Sequence, residues 1–115
     1  MGVMAYQRAR NVTESLRTME HRLMNQVTGA LIDARARQLK GGQLAEILHW
    51  NREVWSTFST MCADPSNMLP APLRAGVISL SLWVDRHTSD VMAGKEQVDE
   101  LIDVNRMIMD GLAGY

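Results

Sequence analysis

Three clusters of turn-forming residues constrain this chain more than anything else in it. They are "GG" at 41–42, "ADPSNMLPAP" at 63–72 and "AGK" at 93–95. Glycine, proline, aspartate and asparagine interrupt regular structure for separate physical reasons, and together they cut the sequence into four segments. Each segment repeats its apolar residues with a 3.6-residue rhythm, and none keeps the two-residue alternation of a strand. The first, about Ser15 to Leu39, carries Leu16, Met19, Leu23, Val27, Ala30 and Ala34, with Met24 and Leu31 at the edge of the stripe. Asn11 or Ser15 is the expected cap, and the glycine pair is the expected stop. The second, about Gln43 to Met61, carries Leu44, Ile47, Leu48, Val54, Trp55, Phe58 and Cys62. The third opens at Pro72, which suits the first turn of a helix, and carries Leu73, Val77, Leu80, Trp83, Val84, His87 and Val91. The fourth, about Lys95 to Leu112, carries Val98, Leu101, Ile102, Ile108, Met109 and Leu112. The expected fold is all-α, a small antiparallel helical bundle of three to four helices. Residues 1–12 read as a mobile N-terminal arm and 13–115 as a single helical domain.

A chain of 115 residues has room for one modest core. At 46% hydrophobic and 22% charged it should fold as a soluble globule. No apolar run approaches the roughly 20 residues that span a bilayer, so no membrane role is expected. The start "MGVMAYQRARN" has no apolar stretch of a secretory signal. The lone Cys62 cannot close an intramolecular disulfide and falls on an apolar helical face, which predicts a buried small residue in a reducing cytoplasm. Charge is segregated. Residues 1–40 hold seven basic side chains against three acidic, and residues 85–110 three basic against seven acidic. Two such ends attract in an antiparallel bundle, or one steers a partner of opposite charge.

Catalytic and metal motifs are not found. His21, His49 and His87 sit on three segments without ligand spacing. Asp85, His87 and Asp90 do not converge on one helical face, and His87 reads as a core histidine. The glycine pair is too short to cradle a phosphate, and no serine sits in a nucleophile elbow. Neither an enzyme nor a cofactor nor a metal is expected.

Some apolar groups exceed what a minimal core needs. Trp55 lies within the stripe of the second segment. Trp50 lies about 90° from its centre, with Val54, Thr57 and Met61 as neighbours on a shifted face. Ile78 and Leu82 lie opposite the main stripe of the third segment. Nine methionines add adaptable apolar surface. Trp50, Val54, Thr57, Met61, Ile78 and Leu82 are the candidate surface for a partner helix, with Asp99, Asp103 and Asp110 as steering charges. The same strip would also serve self-association. Asn51 and Asn105 fall mid-stripe instead. A buried amide needs a partner, so each should bond a neighbouring helix or a loop, the 63–72 loop being the first candidate for Asn51. Together they suggest a polar lock on helix register.

"AYQRARNVTES" (5–15), "LHWNREVWSTFST" (48–60), "ADPSNMLPAPLRAGVISLSLWVDRH" (63–87) and "LIDVNRMIMDGLA" (101–113) together resemble the FlaF family of alphaproteobacterial flagellar proteins. The resemblance spans nearly the whole chain. Its characteristic positions fall on Trp50, Asn51, Arg52, Trp55, Asn67, Leu69, Pro70, Trp83, Asp103, Asn105 and Arg106. Met61 departs from the polar or acidic residue expected there. The resemblance implies a small cytoplasmic helical protein that binds flagellin before type III secretion and acts with the regulator FlbT to balance flagellin synthesis. A post-transcriptional regulator of flagellin mRNA is the alternative it leaves open. Direct RNA binding would fall to Arg8, Arg10, Arg17 and Arg22. Only Tyr6 lies near them to stack on a base, so a direct nucleic-acid role is not expected.

Overall fold

The computed structural model describes the backbone of residues 2–113 and the side chains of residues 3–4 and 21–112. Four helices follow in order: α1 (Gly2–Ala36), α2 (Gly41–Ala63), α3 (Ala71–Met92) and α4 (Asp99–Ala113). Each runs back along the one before it. α1 packs on α2 and α4, and α3 packs on the same two from the other side. α1 and α3 therefore lie on the diagonal of a square.

The turns explain the boundaries. α1 ends at Ala36 rather than Leu39. The Leu39 N–H reaches Ala34 O at 3.0 Å and the Gln38 N–H reaches Arg35 O at 3.2 Å, with Gln38 at φ 54°. This is the double bond pattern that closes a helix in a left-handed residue. Gln38 takes the place the glycine pair was expected to fill. Gly41, at φ 60°, instead opens α2 in a conformation that favours glycine. α1 also begins at Gly2, well before the expected cap at Asn11 or Ser15. The segment expected as an arm thus continues the helix. Val3 and Met4 on it are exposed; its other side chains, with Leu16 and Met19, lie outside the described residues.

At about 1.5 Å per residue α1 is roughly 52 Å long, close to the 55 Å long axis of the molecule. The other helices are shorter, so α1 runs past them. The core lies where all four overlap. Trp55, Phe58, Leu31, Leu101, Ile102, Val77 and Val84 are fully buried there, with Cys62 at one end. Met24 and Leu31, expected at the edge of the α1 stripe, are among its most buried residues. The reason is the diagonal. α1 is sandwiched by α2 and α4, so its buried face centres between the two neighbours. No described helix is long and apolar enough to cross a membrane.

Candidate functional site

The most constrained chemistry is a buried hydrogen-bond cluster at the level of Asn51. Asn105 on α4 and Asn51 on α2 have no solvent exposure. The Trp55 indole Nε1–H donates to Asn105 Oδ1 at 2.7 Å. Asn105 Nδ2 donates to Asn51 Oδ1 at 2.8 Å and to Thr28 Oγ1 at 3.0 Å. Thr28 in turn donates to Met24 O at 2.6 Å. Trp55 fixes the orientation of the Asn105 amide, because an indole can only donate and so must face the oxygen. Both N–H groups of Asn105 and its oxygen are thus engaged by α1 and α2. The cluster leaves one cost: Asn51 Nδ2 is buried without a partner. The structure thus brings Asn51 and Asn105 into direct contact. It does so across α2 and α4, and Asn51 does not reach the 63–72 loop. Thr28 was missed in the sequence, although a threonine between Met24 and Leu31 on a buried face was a visible signal.

The 63–72 loop holds itself. Asn67 Oδ1 accepts the Leu69 N–H at 2.9 Å, and Asn67 Nδ2 donates to Met61 O at 3.0 Å, closing the end of α2. Asp64 Oδ1 accepts the Ser66 N–H at 2.9 Å and the Ser66 hydroxyl at 2.8 Å. Those two bonds hold the Asp64 carboxyl below its ordinary pKa. Leu69 inserts into the end of the bundle, and Pro70 caps α3.

α3 is tied to α2 by Arg52. Its Nη2 donates to Asp85 O and to Ser89 Oγ, both at 2.8 Å. Arg52 Nε lies 2.9 Å from Asp85 Oδ1, an ion pair in which the N–H is not aligned on the oxygen. α3 is tied to α4 by His87, 6% exposed, whose ring stacks on Trp83 at 4.6 Å and 14°. His87 Nε2 lies 3.2 Å from Gln97 O and 3.5 Å from Glu100 Oε2. A carbonyl can only accept, so Nε2 carries the hydrogen.

His87, Glu96 and Glu100 each offer a ligand atom, all within 4.8 Å of one another. Imidazole and carboxylates are divalent-cation ligands, but a ligating Nε2 would have to give up its hydrogen and its bond to Gln97. With its hydrogen directed at Gln97 O, His87 clamps the α3–α4 connection. Asp85 points to Arg52 on the α2 side, so it does not join His87.

The candidate partner surface is divided among flanks. Arg52 marks the side of α2 that faces α3. At 100° per residue, Trp50 and Met61 turn the other way, toward α1, and Thr57 faces outward. Trp50 is 36% exposed, whereas Val54 is 9% exposed and belongs to the core, which narrows that strip. Ile78 and Leu82 lie on the α2 side of α3. Ile78 packs against the core, and Leu82 is 64% exposed. Asp99 pairs with Arg35 of α1 at 3.5 Å, and Asp103 and Asp110 are exposed on the same side of α4. No single surface gathers all nine residues, because each helix turns its spare groups toward a different neighbour. Arg22 is exposed, while Arg8, Arg10 and Arg17 lie outside the described side chains.

A cleft of about 870 Å³ opens where the α1–α2 turn meets the α3–α4 connection, with Leu44, Leu48, Val91 and Val98 among its lining residues. Lys40 and Glu96, of opposite sign, also line it.

A protein-family model described as flagellar protein FlaF matches residues 3–112. Comparison with curated proteins and with solved structures finds no match.

Proposed function

The chain belongs to the flagellar protein FlaF family, which gives it a flagellar role, and from that premise we propose that it is a non-enzymatic assembly factor that binds flagellin in the cytoplasm. In this reading it supports flagellin secretion by the type III export apparatus and couples that step to regulation of flagellin synthesis, with FlbT as a second partner. One observation carries the proposal. The bundle has a filled core, yet Trp50, Met68, Leu82, Met92 and Met107 remain exposed. Large apolar groups left in water on a small domain favour a binding role, and methionine adapts to varied apolar helices. Most residues of the family motifs are accounted for by the fold itself: Asn51, Arg52, Trp55, Asn67, Leu69 and Asn105 hold helices and loops together. Trp50, Asp103 and Arg106 face outward and are left for a partner.

The test is titration of the purified chain with flagellin. Trp50→Ala should weaken binding about tenfold or more, as expected of an aromatic anchor, while helicity by circular dichroism is kept. Unchanged affinity would remove Trp50 from the contact. Failure of the wild-type chain to bind flagellin at all would overturn the proposal.

A further inference from the structure

Of the neighbouring helices, α3 and α4 touch least. Their lengths explain part of this. α4 has 15 residues and α3 has 22, and with Glu100 beside His87 α4 stops roughly 4 Å short of the far end of α3 at ~1.5 Å per residue. The His87 clamp joins them only at the end near the connection. Beyond the clamp, Leu80 and Trp83 on α3 and Val104 and Met107 on α4 fall on facing flanks. The first three are half-buried, and Met107 is 56% exposed.

Farther along the same groove, Gly76 and Gly111 fall at one level on opposite walls. A Cβ added to either would meet nothing within 4 Å, and neither has a positive φ. The fold therefore requires glycine at neither position, by backbone conformation or by close packing. A glycine within a helix costs about 1 kcal/mol relative to alanine, a cost the described residues do not offset. The clamp end of the groove is acidic. Asp90, Glu96 and Glu100 stand there, against Arg86 and Lys95, and Asp103 stands farther along on the crest of α4.

We propose that this groove seats a helix of another protein, amphipathic and with basic residues flanking its apolar face. Its apolar side chains would lie along Leu80, Trp83, Val104 and Met107. Its backbone would approach closely at Gly76 and Gly111, where no side chain stands in the way. Its lysines and arginines would meet these acidic groups. A second copy of this chain is the poorer occupant, because a two-fold interface would set one set of acidic groups against the other. The inference rests on the reading that the chain is a binding protein, and not on flagellin being what it binds here.

Two synthetic peptides of about 21 residues, three heptads with leucine at a and d, serve as probes against the full chain. One carries lysine at e and g, the other glutamate. Backbone amide shifts should map the lysine peptide to residues 76–84 and 104–111, with affinity at least about tenfold above the glutamate peptide. Gly111→Leu fills open space and improves helix propensity, so it should hold or raise the Tm while cutting affinity about tenfold or more. Asp103→Lys should give a smaller loss. Equal binding of both peptides, a shift map centred on Trp50, or full affinity in Gly111→Leu would overturn the inference. Competition separates the two readings. Flagellin that binds without displacing the lysine peptide upholds the groove for a different partner. Flagellin binding with no lysine-peptide binding upholds the flagellin reading and overturns the groove.

Discussion

The seam where α1, α2 and α4 meet and the seam between α3 and α4 are closed by opposite means. The first is sealed by hydrogen bonds with no solvent access, through Thr28, Asn51, Trp55 and Asn105. The second has one clamp, at His87, and beyond it an apolar groove bordered by glycines. The difference teaches where specificity and adaptability reside. Buried polar groups accept few geometries, because an unpaired one is costly. Half-exposed leucine, valine and methionine accept many. A bundle meant to hold its register and still admit a partner would place the first kind inside and the second at an edge.

The largest test of this contrast is at Asn105. Asn105→Ala strands the Trp55 indole N–H and leaves a void, so urea denaturation should show a loss of about 3 kcal/mol or more. Asn51→Leu, at the same seam, gives up one hydrogen bond but also removes the orphaned Asn51 Nδ2. It should cost within about 1 kcal/mol. Met107→Ala, on the open seam, should stay within about 0.5 kcal/mol. Equal losses at Asn105 and Met107 would erase the distinction between the seams.

Arg52 comes next. Arg52→Ala removes the donors to Asp85 O and Ser89 Oγ that tie α3 to α2. The side chain is 28% exposed and its ion pair is partly screened, so the expected loss is only about 1 kcal/mol. The informative readout is local. Amide hydrogen exchange should quicken in α3 more than in α4, since the bonds of Arg52 reach α3 and not α4. Uniform acceleration across all four helices would mean that Arg52 does not act on α3 in particular.

Much of this was legible in the sequence. The turn clusters at 63–72 and 93–95 separate the helices as expected, and the 3.6-residue rhythm identified nearly every buried side chain of α2 and α4. Asn51 and Asn105 stood out because each amide interrupted an apolar stripe, and the structure joins them. The start of α1 was not legible, since neither Asn11 nor Ser15 marks it and the helix runs back to Gly2. Nor was the surface. Periodicity gives the angle of a residue about its own helix, but not which neighbour stands at that angle. Trp50, Leu82 and Asp103 each read correctly as outside the core. Only the placement of α1 and α3 on a diagonal shows that they look in different directions. The α3–α4 groove escaped notice for the same reason. Leu80 and Trp83 fit the core stripe, and the sparse contact of α3 with α4 leaves them half-covered.

The smallest effect lies at the hinge between the two seams, where α2 turns into α3. The Ser66 N–H, and then its hydroxyl, bond the Asp64 carboxylate and hold its pKa below the ordinary value of 3.8. A carboxyl whose folded pKa is depressed adds stability in its charged form. That stability is complete above the unfolded pKa and disappears as pH falls through the folded one. Asp64→Asn keeps an acceptor for Ser66 but has no charge to lose. The wild-type chain should therefore melt slightly above Asp64→Asn at neutral pH. The gap should begin to narrow near pH 3.8 and vanish below the lowered value. Because the carboxylate is fully exposed, the gap should shrink with added salt as well. A difference in Tm that ignores pH would mean that the turn depends on the shape of the side chain and not on its charge. The connection on the α3 side would then be held, like the buried seam, by hydrogen-bond geometry alone.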